Sequence, residues 1–226
     1  MKNLVRLVLP IMMLSFLSFS CDSDDNPINE RSTMSVRLVD APGDYESVIL
    51  DVQEVEDIVD DETIPLDTKS DSYDLLTLTG GDFASLVDED IPTGSLSQIR
   101  LILGSENTLV LNGGESFNLQ TPSAQQSGLK LNVNYYLEPG VLYEFILDFK
   151  VDESIVAQGN SGYLLKPVIR VSTVAESGPI SGKVTPIETQ SKITAINDTS
   201  GEEVSAFTDD EGKFLLYGVP SGTYTI

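Results

Sequence analysis

The amino-acid sequence predicts an all-β protein built as an antiparallel β-sandwich or a barrel-like relative of one. Short stretches of alternating apolar and polar residues recur along the chain, which is the pattern of half-buried strands. Gly, Pro, Asn and Asp residues that favour turns separate these stretches. No segment shows sustained helical periodicity, and strands of this length and spacing are typical of sandwiches.

The first strands follow a polar segment and are joined by recognisable turns. Residues 34–39 alternate as a strand, and the sequence DAPGDY at 40–45 predicts a turn. Val48, Leu50 and Val52 alternate again, but Val55 breaks the phase by one residue, which predicts a bulge or a bend. The acidic stretch at 57–71 is expected to form an exposed loop or hairpin.

The middle of the chain continues the pattern, with one short helical turn expected. Residues 73–78 form a short apolar segment, and Gly81–Val87 is predicted as a single helical turn with Asp82 as its N-cap. Asn112-Gly113 predicts a hairpin turn. Further strands are predicted at 96–103, 107–111, 116–119, 129–134, 142–149 and 163–173.

Two cations stand in the otherwise apolar stretch at 163–173. Pro167 lies between Lys166 and Arg170, and proline inside a strand indicates an edge position. We expect these cations to pair with nearby acids such as Asp148 or Asp152 at the surface.

The N-terminal segment has the features of a secretory signal. Lys2 and Arg6 precede an apolar run at 7–19, which is too short to span a bilayer, and Ser20 then meets the single cysteine, Cys21. This arrangement resembles a bacterial lipoprotein signal (1–20) with a lipidated Cys21 at the start of an acidic tether (21–33). The alternative is an ordinary secretory signal that leaves an unpaired thiol, which is a liability in an oxidising compartment.

The residues directly after Cys21 resemble a sorting signal. Asp22, Ser23, Asp24 and Asp25 resemble the acidic tag that directs Bacteroidetes lipoproteins to the outer face of the outer membrane. The alternative is a solvated acidic linker. The N-terminal segment thus predicts a membrane partner reached through lipid and a location on the outer membrane, facing the exterior.

Charge restricts the partners. Removing Lys2 and Arg6 from 13 cations leaves 11 against 36 acids, so the mature chain carries a net charge near −25. Such a surface repels nucleic acid and anionic head groups, and it attracts divalent cations and basic partners. We therefore expect no nucleic-acid partner.

Composition also argues against catalysis. The chain has no histidine, and with Cys21 lipidated it has no free thiol, so the usual nucleophile-activating groups are absent. Most acids fall in segments expected to be solvated, with the exceptions Asp51, Glu144 and Asp148. The sequence has no Walker loop and no dinucleotide fingerprint. We expect no enzyme activity and no cofactor.

Acidic clusters are poor metal-site candidates here. Asp209-Asp210-Glu211-Gly212 resembles part of a calcium loop, but the acids are consecutive and no distal bidentate Glu follows. A plain hairpin turn is the favoured interpretation. The runs at 60–62 and 88–90 are expected to be solvated loops, so no metal site is predicted.

A polar loop is the candidate ligand site. It is rich in hydrogen-bonding groups and is expected to connect rigid strands, which is where binding residues concentrate. A purely structural role is the alternative. The candidate residues are Thr121, Ser123, Gln125, Gln126, Ser127 and Lys130.

Several motifs recur in the order of a known family. They are DAPGDYESV at 40–48, IPTGSLSQIRLIL at 91–103, TPSAQQSGLKL at 121–131, LDFKVDESIV at 147–156 and YLLKPVIRV at 163–171. They resemble the domain of unknown function 4382 of secreted lipoproteins, here placed at 34–175. The resemblance implies an exported β-rich module and no assigned activity.

A second resemblance follows the boundary near Glu176-Ser177-Gly178-Pro179. The sequences ISGKV at 180–184, ITAIND at 193–198, TDDEGKF at 208–214 and YGVPSGTYTI at 217–226 are similar to a carboxypeptidase regulatory-like domain. That family implies a small, non-catalytic, transthyretin-like β-sandwich, here at 178–226. Because the segment is short, we expect an incomplete sandwich whose unpaired edge a partner chain could complete.

Two functions remain at this stage. The first is a non-catalytic, lipid-anchored cell-surface lipoprotein that acts as a binding or adhesion module, with a glycan or a protein as ligand. The alternative is a carbohydrate-active or nutrient-capture lipoprotein that uses carboxylates, with or without bound calcium. No Trp is present, and Tyr45, Tyr135, Tyr136 and Tyr163 are the candidate sugar-stacking rings.

Overall fold

A computed structural model describes residues 31–41, 43–121, 127–159, 162–186 and 190–226. Cys21, which is predicted to be lipidated, the acidic run at 22–25 and most of the predicted tether lie outside these residues. The described chain is nearly all β, as predicted. None of its helices is long and apolar enough to cross a membrane.

The strands are β1 (Arg31–Ala41), β2 (Ser47–Val59), β3 (Glu62–Pro65), β4 (Asp71–Asp74), β5 (Ala84–Pro92), β6 (Gly94–Leu103), β7 (Thr108–Val110), β8 (Ser116–Gln120), β9 (Leu129–Leu137), β10 (Leu142–Lys150), β11 (Ile155–Gln158), β12 (Gly162–Leu165), β13 (Ile169–Thr173), β14 (Ser177–Lys183), β15 (Lys192–Asn197), β16 (Glu203–Phe207), β17 (Lys213–Pro220) and β18 (Tyr224–Thr225). The helical pieces are the α-helix α1 (Val151–Ser154) and the 3-10 turns Leu75–Thr77 and Val174–Glu176.

Strands β1 to β13 form a two-sheet sandwich. The central sheet has the order β13-β10-β1-β5. The outer sheet has the order β11-β12-β8-β7-β2-β6-β9, and the short strands β3 and β4 also pair with β2. Most ladders are antiparallel, but β1 pairs with β10, and β8 with β12, in parallel.

The sandwich core is fixed by alternation along each strand. Met34, Val36 and Leu38 of β1 point into it, and Val48, Leu50 and Val52 face them from β2. The β2–β6 register shifts between Val52 and Glu54, so the predicted break of phase before Val55 is confirmed as a bulge. The bulge returns Val55 and Val59 to the core side.

Some local predictions are wrong. The hairpin expected within 57–71 is confirmed, since β2 pairs with β3 there, but it is not fully exposed: β2 runs to Val59 and Asp57 is fully buried. Ala84–Val87 of the helical turn expected at Gly81–Val87 instead begin β5, because Leu86 and Val87 are drawn into the core. Asp88, Glu89 and Asp90 also lie in β5 and not in a loop.

Strands β14 to β18 form a second, smaller unit. β14 pairs with β17, and a separate sheet has the order β16-β15-β18. The core between them consists of small or medium side chains, namely Ala195, Val204, Ala206, Leu216 and Val219. This unit therefore has little apolar burial of its own.

The smaller unit packs on the free face of the central sheet. Val39 and Ile146 are buried on that face, away from the main core. Arg170 of β13 spans the junction: it bonds Asp148 Oδ2 at 2.9 Å and donates to the carbonyls of Gly218 (2.6 Å) and Tyr217 (3.0 Å). The predicted pairing with Asp148 is confirmed, but the pair is buried and joins the two units.

Gly218 is required for this close approach. Its φ is +59°, a conformation that L side chains rarely adopt, and a Cβ there would lie 1.9 Å from Ser172 Oγ. Tyr217 adds a second link by donating from its hydroxyl to the Gly81 carbonyl at 2.7 Å. The central sheet thus lies between the outer sheet of the sandwich and the smaller unit.

We predict that an isolated 178–226 fragment shows no cooperative melting, because its small core cannot offset the entropy of ordering the chain. A fragment ending near Val174 is expected to fold, since it retains the whole sandwich core. Circular dichroism melts of the two fragments test this. A cooperative transition for 178–226 would contradict the prediction.

Candidate binding site

The predicted ligand loop is only partly described. Ser123, Gln125 and Gln126 lie outside the described residues. Thr121 is 2% exposed, and its hydroxyl lies 3.4 Å from the Asn107 amide that donates to it. Its burial makes Thr121 a structural residue and not a ligand contact.

Ser127 and Lys130, the remaining candidates from this loop, are exposed. Lys130 lies on β9 directly opposite Arg100 of β6. Two cations side by side on a sheet face repel each other, and Arg100 is balanced by Glu56 at 3.6 Å. The described part of the loop therefore brings together no complete site.

Two buried carboxyl groups lie near the end of the central sheet. Burial raises the pKa of Asp40 well above its usual value, and the charge of Asp148 adds to the increase. The Val151 N–H offsets part of it, although neither Asp40 oxygen makes a hydrogen bond of good geometry to a described atom. Burial also raises the pKa of Asp148, while the Arg170 guanidinium opposes that change.

Asp57 is a third buried acid, inside the sandwich core. It is 0% exposed, and neither oxygen has a hydrogen-bond partner among the described atoms. Burial, with a contribution from the charge of Glu89, raises its pKa to about 8. Asp57 is therefore protonated at neutral pH, because the apolar core disfavours its charged form.

The other acids that stood out within strands are held by neighbours. Asp51 accepts from the Glu106 N–H at 3.1 Å, and Glu144 pairs with Arg37 at 2.6 Å.

Asp209 accepts from the backbone N–H groups of Glu211 and Lys213, both at 2.8 Å, which closes the predicted turn at 209–212. That turn connects β16 to β17, which lie in different sheets, so the turn is present but the hairpin predicted there is wrong.

No metal centre is evident in the part of the chain that the structure describes. Within it, no group of three or more Asp, Glu, His or Cys side chains is arranged to hold an ion. The acidic runs at 60–62 and 88–90 do not converge into such a group.

Three adjoining open features lie where the sandwich meets the smaller unit. The first, about 300 Å³, is lined by residues 132–135 of β9 and 171–173 of β13. The second, about 490 Å³, shares Tyr135 and residues 171–173 and extends to Ser177, Pro220 and Ser221. The third, about 500 Å³, shares Ser177 and residues 220–221 and extends to Tyr224. We call these three parts together the junction groove.

The junction groove is uncharged. Every residue that lines it in the described structure is neutral, although 22% of the chain is Asp, Glu, Lys or Arg. Amide and hydroxyl side chains, such as those of Asn134 and Ser221, alternate with apolar surfaces such as Val171 and Pro220. Tyr135 is fixed at its edge, with its hydroxyl 3.4 Å from Thr173 Oγ1 and its ring against Phe145.

Sequence reasoning missed this groove because its walls come from four distant segments. β9 and β13 are the edges of different sheets, and Ser177 and Pro220 belong to the smaller unit. Of the four tyrosines proposed for stacking, Tyr135 lines the groove, whereas Tyr163 packs edge-on against Phe117 in the sandwich. The weak signal in the sequence was the Asn-rich, uncharged run at 132–136.

Fold and site together define an all-β module of two packed units with an uncharged cleft at their junction. The family model "Domain of unknown function (DUF4382)" matches residues 31–167. The chain belongs to this family, as its motifs predicted. Comparison with curated proteins and with solved structures found no match.

Proposed function

We propose that the protein is a non-catalytic, lipid-anchored lipoprotein of the cell surface that acts as a binding or adhesion module. The observation that carries the non-catalytic part is the position of the acids with raised pKa. Asp40 is 4% exposed, Asp57 is 0% exposed and Asp148 is 3% exposed, so none of these carboxyl groups can reach a substrate. A carboxylate mechanism needs such an acid in an open pocket.

The site of attachment is proposed to be Cys21, with Asp22, Ser23, Asp24 and Asp25 as the export tag to the exterior of the outer membrane. The membrane is then the first partner. A glycan or a protein is the second, and nucleic acid is disfavoured by the charge of −23.

The smaller unit is proposed to be a transthyretin-like, carboxypeptidase regulatory-like domain that serves as a spacer or binding element. Its order of strands and its turn at 209–212 support this assignment. β14 pairs with β17 alone among the described strands, which leaves an edge where a partner chain could add a strand.

Replacing Cys21 by Ala is expected to abolish lipid labelling and release the protein from membranes, because the thiol is the attachment atom. Growth with a palmitate analogue followed by membrane fractionation measures both effects. Ser23→Ala is the matched control and should keep the label. Protease added to intact cells should degrade the wild-type protein.

Equal labelling of Cys21→Ala and wild type would contradict the anchoring proposal. Polysaccharide hydrolysis by the purified protein that is lost in Glu144→Gln would contradict the non-catalytic proposal. In that case the carbohydrate-active alternative would take its place.

A further inference from the structure

We propose that the junction groove is a binding site for an uncharged oligosaccharide chain. This inference rests on the proposed binding function and names its ligand class and location. The argument begins from charge. Anions are repelled by a chain of net charge −23, and a cationic ligand would find no acid among the described lining residues. The complementary ligand is neutral.

The hydrogen-bonding groups of the groove suit sugar hydroxyls. Asn132 and Asn134 of β9 and Ser221 of the smaller unit are exposed. Amide and hydroxyl side chains both donate and accept, as sugar hydroxyls do. Asn132 already accepts from Gln98 Nε2 at 2.9 Å, which orients its amide and leaves its N–H groups for a ligand.

Apolar surfaces between these groups complete the match. Val171, Pro220 and Tyr224 provide carbon faces along the groove. The C–H faces of a pyranose ring pack on such surfaces while the ring hydroxyls bond at the sides. Three adjoining parts of about 300, 490 and 500 Å³, which share lining residues, give room for several linked sugar rings and not only for a monosaccharide.

Two features oppose the competing occupant, an extended peptide added as a β-strand. β9 carries an extra residue between Asn132 and Tyr135 relative to β6, and a bulge of this kind interrupts the regular edge that strand addition needs. At the end of β13, the Ser177 hydroxyl donates to the Thr173 carbonyl and occupies it. Recognition by side chains is therefore favoured over recognition by backbone.

The test is titration calorimetry of the full chain in detergent with neutral hexasaccharides: cellohexaose, xylohexaose, mannohexaose and laminarihexaose. At least one is expected to bind. Asn134→Ala and Ser221→Ala should each weaken that binding by about five-fold, the loss expected for one hydrogen bond. Neither side chain makes a described contact that the fold needs. Asn118→Ala, on β8 away from the groove, is the matched control and should bind as wild type does.

A hexagalacturonate and an uncharged extended hexapeptide are the comparison probes. Binding of either one in place of every neutral sugar would overturn the proposal. Neutral sugar binding that both groove variants leave unchanged would overturn it as well, since the site would lie elsewhere. Failure of all hexasaccharides would reject this ligand class, whereas labelling of Cys21 separately decides the anchored location.

Discussion

Replacing Asp57 by Asn is expected to remove a pH dependence from the free energy of unfolding. Burial holds the pKa of Asp57 at about 8 in the folded chain, against the ordinary aspartate value of 3.8. Between these values the folded protein keeps a proton that the unfolded chain has lost. Stability therefore falls as pH rises through this window and levels off above pH 8.

For a single such group, the loss between pH 5 and pH 8 is roughly 3 to 4 kcal/mol. Urea denaturation at several pH values gives the free energy of unfolding as a function of pH. The loss is the difference between the slopes of this free energy against pH for wild type and for Asp57→Asn. Asp40 acts in the same direction, so the wild-type slope includes more than Asp57. Asp88→Asn, an exposed change on β5, should leave the slope unaltered. Parallel pH profiles for wild type and Asp57→Asn would show that Asp57 is ionised in the folded state.

The second large effect is expected at the junction. Arg170→Ala should lower the free energy of unfolding by about 3–5 kcal/mol, because it leaves Asp148 buried without its partner. It also removes donors from the carbonyls of Tyr217 and Gly218. Chemical denaturation gives the magnitude, and hydrogen exchange in β14 and β17 reports loosening of the smaller unit.

Two further variants make this result interpretable. Arg170→Ala combined with Asp148→Ala should be less harmful than Arg170→Ala alone, since no unpaired charge remains buried. Lys213→Ala breaks an exposed pair with Glu211 and should have little effect. If Arg170→Ala behaves like Lys213→Ala, the junction is not held by this ion pair.

Strands could be predicted from the sequence where one face of the strand is buried and the other is exposed to solvent. β1 and β2 alternate over most of their length, and even the bulge near Val52 left a trace in the spacing of the valines. Prediction failed for β5, because polar residues at 88–90 hide a strand whose Leu86 and Val87 supply its burial. The prediction for Asp57 was wrong for the same reason. An acid in a core position breaks the alternation of apolar and polar residues that indicates a strand.

The site was harder to predict than the fold. A partner for Arg170 could be predicted from sequence, with Asp148 or Asp152 as the candidates, because a cation among apolar residues demands an acid. Whether that pair is solvent-exposed or buried depends on what packs above it, which here is the irregular part of β17 at Tyr217 and Gly218 with its two carbonyls. The junction groove depends on the same packing, so its only sign in the local sequence was the weak one, the uncharged run at 132–136 of β9.

The pairing of β1 also determines how the molecule bears load. A pull on the segment before Arg31 acts along the axis of β1, which lies between β10 and β5. Its registers with these neighbours extend from Thr33 to Ala41 and from Arg31 to Leu38. Drawing β1 out lengthwise must break both ladders in shear at once and cannot open them one bond at a time. In a protein held by its N-terminus in flowing liquid, the force would thus act on a strand that is paired along both of its edges.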